Sequence, residues 1–71
     1  MKTMFVGGSM HGKTEEVDPT ARDIYIETPT RQRELYYRKL WWTGTTETPF
    51  FALHTLTDSE IDQQARPLMP K

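Results

Sequence analysis

The octapeptide Gly7-Gly8-Ser9-Met10-His11-Gly12-Lys13-Thr14 satisfies G-x-x-x-x-G-K-[ST] letter for letter. In that pattern backbone amides cradle a triphosphate and the lysine reaches its outer phosphates. The octapeptide also follows a run of strand formers, which is half of the context the chemistry requires. The other half is missing. In a phosphate loop the lysine and threonine open a helix whose N-terminal amides hold the anion, but here only Glu15, Glu16, Val17 and Asp18 separate them from Pro19. Two carboxylates would crowd a triphosphate, and one valine cannot anchor a helix to a sheet. The parallel crossovers of such a site also need more chain than this protein has left. The octapeptide therefore reads as a glycine-rich hairpin loop, and no cofactor is expected.

Other chemistries fare no better. The chain has no cysteine, so it has no thiolate nucleophile, disulfide or thiolate metal site. His11 and His54 have no partners at metal-ligand spacing and no serine and aspartate to complete a nucleophilic set. Glu15 and Glu16 point to opposite faces of an extended segment and make no acid/base couple. No metal and no catalytic residue are expected, and the chain reads as a non-enzyme. The sharpest remaining signal is the interleaving of Arg31, Arg33, Arg38 and Lys39 with Tyr36, Tyr37, Trp41 and Trp42. Cations among aromatic rings suit an interface whose arginines steer an acidic partner and whose rings anchor it. They equally suit a single-stranded nucleic acid, with bases stacked on the rings. The competing expectation is that the rings are simply the core.

That competition matters in a chain of 71 residues, 35% of them apolar. At this size only about 60% of the unfolded chain's surface is buried on folding, so a few large side chains must carry the core. Nine basic residues against ten acidic ones leave no global positive field for duplex DNA. The acidic residues concentrate in 13–27, which predicts a surface divided into a negative and a positive half. No stretch approaches the roughly 20 apolar residues of a membrane span, and the N-terminus lacks a signal-peptide run. A soluble, unexported protein is expected.

The elements that position these residues follow from pattern. Residues 1–6 read as a strand, Gly7 to Gly12 as its loop and residues 13–17 as the returning strand. Alternation in 22–27 puts Ile24 and Ile26 on one face and Asp23, Tyr25 and Glu27 on the other. Residues 34–42 are apolar on both sides when read as a strand, which predicts a central strand covered on both faces. A helix there would smear its apolar stripe and lack a cap. Residues 50–56 read as a further strand paired with 34–42 as a hairpin. Thr57-Asp58-Ser59-Glu60 has capping-box spacing, so a helix should run from about Asp58 to Arg66, with Ile61 and Ala65 inward and Pro67 ending it. The expected fold is one small α+β domain over residues 1–66, a mainly antiparallel sheet of four or five strands with a C-terminal helix, followed by a loose tail at 67–71. Pairing as a homodimer would cover the exposed sheet edges.

Met4-Phe5-Val6-Gly7-Gly8 with His11-Gly12, the Tyr36-x-Arg38 unit, the strand ending at His54 and the acid-capped terminal helix together resemble a group of short uncharacterised tailed-bacteriophage proteins. Those proteins begin with Val-Gly-Gly-x-x-x-Gly. The resemblance implies a host-cytoplasm setting and an accessory role, blocking or redirecting a host or defence protein. The favoured reading is thus a non-enzymatic, phage-encoded protein that occludes a host or defence macromolecule, its partner a host or phage protein, through Arg31, Arg33, Tyr36, Arg38, Lys39 and Trp42. The alternative is a single-stranded nucleic-acid-binding module using the same basic-aromatic strand.

Overall fold

A computed structural model describes residues 2–69, which form five strands and one α-helix. The strands are β1 (Lys2–Val6), β2 (Thr14–Glu16), β3 (Asp23–Glu27), β4 (Arg33–Trp42) and β5 (Glu47–Leu53), and the helix is α1 (Asp58–Ala65). They lie in the order β2-β1-β5-β4-β3 in one sheet that curls into a half-barrel. Three of the pairings are antiparallel, while β1 and β5 run parallel at the centre, with Phe5 opposite Phe51 and Val6 opposite Ala52. The sheet is therefore α+β as expected but mixed, because the first and last strands meet only after the chain has gone round through β2, β3 and β4. Residues 17–22 connect β2 at one edge to β3 at the other, a reach of six residues that the curl makes short enough.

The pleat sends alternate side chains to two faces. On the helix face, Val6, Phe50 and Ala52 pack with Ile61, Ala65 and Met69, and Met4, Trp41, Leu56 and Leu68 close round them. On the loop face, Phe5, Tyr36 and Phe51 pack with Met10, Val17, Ala21, Ile24, Ile26 and Leu53. The rings of Phe5 and Tyr36 meet edge to face at 5.1 Å, and those of Phe5 and Phe51 stack at 5.5 Å. So small a chain builds two thin cores on one sheet rather than one thick core. The helix starts where its capping box requires: the Thr57 Oγ1 accepts from the Glu60 amide at 3.2 Å, and a Glu60 carboxylate oxygen accepts from the Thr57 amide at 3.1 Å.

Three expectations need correction. β4 is not a strand covered on both faces: it lies second from the edge, and Tyr37, Leu40 and Trp42 are exposed. The tail is not loose through its first part, since the amides of Leu68 and Met69 donate to the Ala65 carbonyl and Met69 is buried in the helix-face core. Positions 70 and 71 lie outside the described residues. The acidic stretch does not make one half of the surface, because β2 and β3 sit at opposite edges of the sheet.

Candidate docking surface

The loop after β1 shows what became of the phosphate-loop pattern. Gly7 and Gly8 take φ of 84° and 66°, which an L side chain seldom adopts, and the chain makes one turn of 3-10 helix over Gly8–Met10. Lys13 and Thr14 then run into β2, not into a helix, and Thr14 stands opposite Met4. The amides that would meet a phosphate have partners within the chain. Gly7 donates to His11 Nδ1 at 2.9 Å, Ser9 to both Glu34 carboxylate oxygens at 3.1 and 3.2 Å, and Met10 to the Tyr36 hydroxyl at 3.3 Å. Gly12 and Lys13 donate to the carbonyls of Phe5 and Met10. Glu34 also accepts from the Ser9 hydroxyl. The loop thus binds an anion that the chain itself supplies, a carboxylate from β4.

Tyr36 completes this lock. Its ring is fully buried, and its hydroxyl donates to the Gly7 carbonyl at 2.8 Å. Burial, and secondarily the neighbouring Glu34 carboxylate, raise its pKa above the ordinary 10.0. A residue so placed cannot touch a partner, so Tyr36 is removed from the expected interface and belongs to the core. The histidines are also structural. His11 caps the loop through Gly7, and His54 holds the Leu35 carbonyl with its amide at 2.8 Å and its Nδ1 at 3.2 Å while its ring meets Tyr37 edge to face. Among the described residues no group of histidines and carboxylates could hold a metal.

The remaining expected interface residues fall into two groups. Arg31, with φ of 63°, lies in the turn between β3 and β4, and Arg33 opens β4 opposite Glu27. Trp42 is at the far end of the same ten-residue strand, about 30 Å away at roughly 3.3 Å per residue. The basic-aromatic stretch therefore does not act as one surface. At the far end, β3 has stopped at Asp23 opposite Tyr37, and β1 pairs β5 only as far as Phe50. Residues 40–42 and 47–49 continue as a two-stranded ribbon with Leu40 opposite Pro49 and Trp42 opposite Glu47.

On this ribbon the pleat separates neighbours. Trp41 turns to the helix face and packs on its core. Leu40 and Trp42 turn to the loop face, beyond the residues that cover it, and stay 55% and 62% exposed. Arg22, Arg38, Lys39 and Leu40 line an open cavity of about 500 Å³ beside them, and Arg38 reaches back to the Pro19 carbonyl at 3.2 Å. Two contributors, Leu40 and Arg22, were not among the expected interface residues. Leu40 shares a strand face with Trp42 by simple alternation, but its exposure depends on where β3 ends.

No family model matches the chain, and neither a curated protein nor a solved structure is similar to it.

Proposed function

We propose that this protein is a non-enzymatic binding module that occludes a protein partner through the loop face of its β4–β5 ribbon. The observation that carries the reading is the side-by-side exposure of Leu40 and Trp42 on a projecting ribbon whose loop face Arg22 and Arg38 flank. Large apolar side chains left in water cost free energy, and desolvating them against a partner recovers it. Tryptophan and arginine contribute disproportionately in such contacts, and the cations favour an acidic partner surface. On the resemblance to short phage proteins, the same reading takes this module as an accessory factor in a bacterial host's cytoplasm, directed at a host or defence protein.

The same Trp42 ring, with Arg38 farther along the strand, would serve a single-stranded nucleic acid. That reading is supported less well: Leu40 offers no π-face for a base, and the other exposed rings, Tyr25 and Tyr37, lie on the opposite face of the sheet. Affinity capture from bacteria compares the wild-type chain with the double variant Leu40→Ala, Trp42→Ala. A protein retained by the first and lost by the second supports the reading. Binding of short oligonucleotides that falls steeply with salt and depends on Trp42 supports the alternative.

A further inference from the structure

The side of β4 that β3 leaves bare has its own hydrogen-bonding chemistry. In an antiparallel strand, successive residues direct their N–H and C=O groups to alternate sides. The Arg38 amide donates to the Arg22 carbonyl, toward β3, and the Leu35 carbonyl accepts from the His54 amide, toward β5. Even-numbered residues of β4 therefore face the β3 side. The β3–β4 ladder ends at Asp23 opposite Tyr37, with the Arg22 carbonyl as its last acceptor. Leu40 and Trp42 consequently point both backbone groups outward from an edge that no strand of the described residues occupies. Such an edge is a template for another strand, which proteins usually cover.

We infer that this edge takes an extended acidic-apolar segment of the partner protein as an added strand, in line with β3. The inference rests on the docking reading above and gives its partner a chemistry. Backbone groups of Leu40 and Trp42 supply the ladder, and their side chains meet apolar residues on alternate positions of the guest strand. The cavity at the end of β3 sets the charge: Arg22, Arg38 and Lys39 line it, with no carboxylate among them. At the other end, Glu47 stands across from Trp42. The guest therefore places its carboxylates toward Arg22 and its apolar residues toward Trp42. A second copy pairing through this same edge is a poorer guest, because its residues 38–42 bring Arg38 and Lys39 to the edge and contain no carboxylate.

The probe is a fluorescein-labelled short peptide with Asp and Glu at one end and Val or Ile on alternate positions of the other, titrated onto the full chain with amide exchange followed by NMR. Peptide binding should slow exchange at the Leu40 and Trp42 amides. Arg22→Glu should weaken it about tenfold. Leu40→Pro removes an outward N–H that the β4–β5 ladder does not use, a change that a strand edge tolerates. It should bind about fivefold more weakly than Leu40→Ala, which keeps that N–H. Should Leu40→Pro not fold, the exchange measurement and Arg22→Glu decide alone. Binding that leaves both amides unprotected, or is indifferent to Arg22→Glu, overturns strand addition. So does protection of the same amides by self-association or by an oligonucleotide in place of the peptide. If no peptide binds yet a captured protein still requires Leu40 and Trp42, strand addition fails and the docking reading stands. If no captured protein requires them, the docking reading fails.

Discussion

The hydroxyl of Tyr36 on β4 donates to the carbonyl of Gly7, 29 positions earlier in the chain, at 2.8 Å. One buried ring thereby joins the loop after β1 to a strand two places away in the sheet, and the loop becomes part of the core's lid. Tyr36→Phe keeps the ring but strands the Gly7 carbonyl and the Met10 amide, which should cost about 1–3 kcal/mol. Tyr36→Ala also opens a cavity and should cost about 3–5 kcal/mol. A domain of this size holds roughly 4–10 kcal/mol in all, so the alanine variant should lose a large share of the wild type's stability. Urea denaturation measures both, and an alanine variant within 1 kcal/mol of wild type, about the scale of a single ordinary hydrogen bond, would contradict the placement of this ring.

The same phenol predicts an alkaline limit. Its folded pKa is raised above 10.0, chiefly by burial. Between the unfolded and folded values the native state keeps a proton that the unfolded state has lost, so stability falls as pH rises. The contribution is complete below pH 10.0 and declines above it, until the phenol ionises in the fold as well. Chemical denaturation of wild type and Tyr36→Phe at successive pH values should show their stability difference shrinking above that point. A constant difference would place the phenol in contact with water.

The acid loop gives a third expectation. Because Glu34 already fills the Ser9 amide and hydroxyl, a nucleotide finds no vacant cradle, and Lys13 leads into β2 and not into a helix. Millimolar ATP or GTP with Mg²⁺ should leave the melting temperature unchanged in wild type and in Lys13→Ala alike, whereas a ligand at about 100 times its Kd would add about 2.7 kcal/mol. Gly8→Ala should be destabilising by about 1–3 kcal/mol through the backbone strain of a φ of 66°, and further because a Cβ there meets the Tyr36 hydroxyl and a Glu34 carboxylate oxygen. A nucleotide-dependent rise in melting temperature would refute the assignment of this loop.

Local pattern was a good guide wherever a physical cause is local. The alternation of Ile24 and Ile26, the capping box at Thr57 and the glycine loop after Val6 all appear where adjacent residues dictate them. The parallel pairing of β1 with β5 was not legible, because alternation tells which face a residue takes but not which distant strand lies beside it. The docking surface suffered from the same gap. Tyr36 and Trp42 share one strand face and similar apolar character; only the length of β3, and the loops above it, decide that one ring is sealed and the other bare. Glu34 was equally silent in sequence, since its partner Ser9 lies 25 positions away.

The chain after Pro67 should matter to stability. Leu68 and Met69 fold back through hydrogen bonds to the Ala65 carbonyl, and Met69 packs with Val6, Phe50 and Ile61. Met69→Ala should cost about 2–5 kcal/mol, as for other buried methionines. A chain ending at Arg66 should lose at least as much. Thermal melts of both against wild type test this, and an unaltered melting temperature in the shortened chain would restore the expectation of a loose tail.

Leu40 and Trp42 should behave in the opposite way. Neither belongs to either core cluster, and each leaves more than half of its surface in water. Alanine at either position removes little packing, so stability should change by no more than about 0.5 kcal/mol, although Trp41 next to them should cost several times that because it closes the helix-face core. The pair therefore separates docking from folding within one strand: Trp42→Ala should abolish partner capture in a protein that melts like wild type, while Trp41→Ala should lower the melting temperature itself. If Trp42→Ala proves as destabilising as Trp41→Ala, the ribbon is packed against the domain in solution and offers no free face.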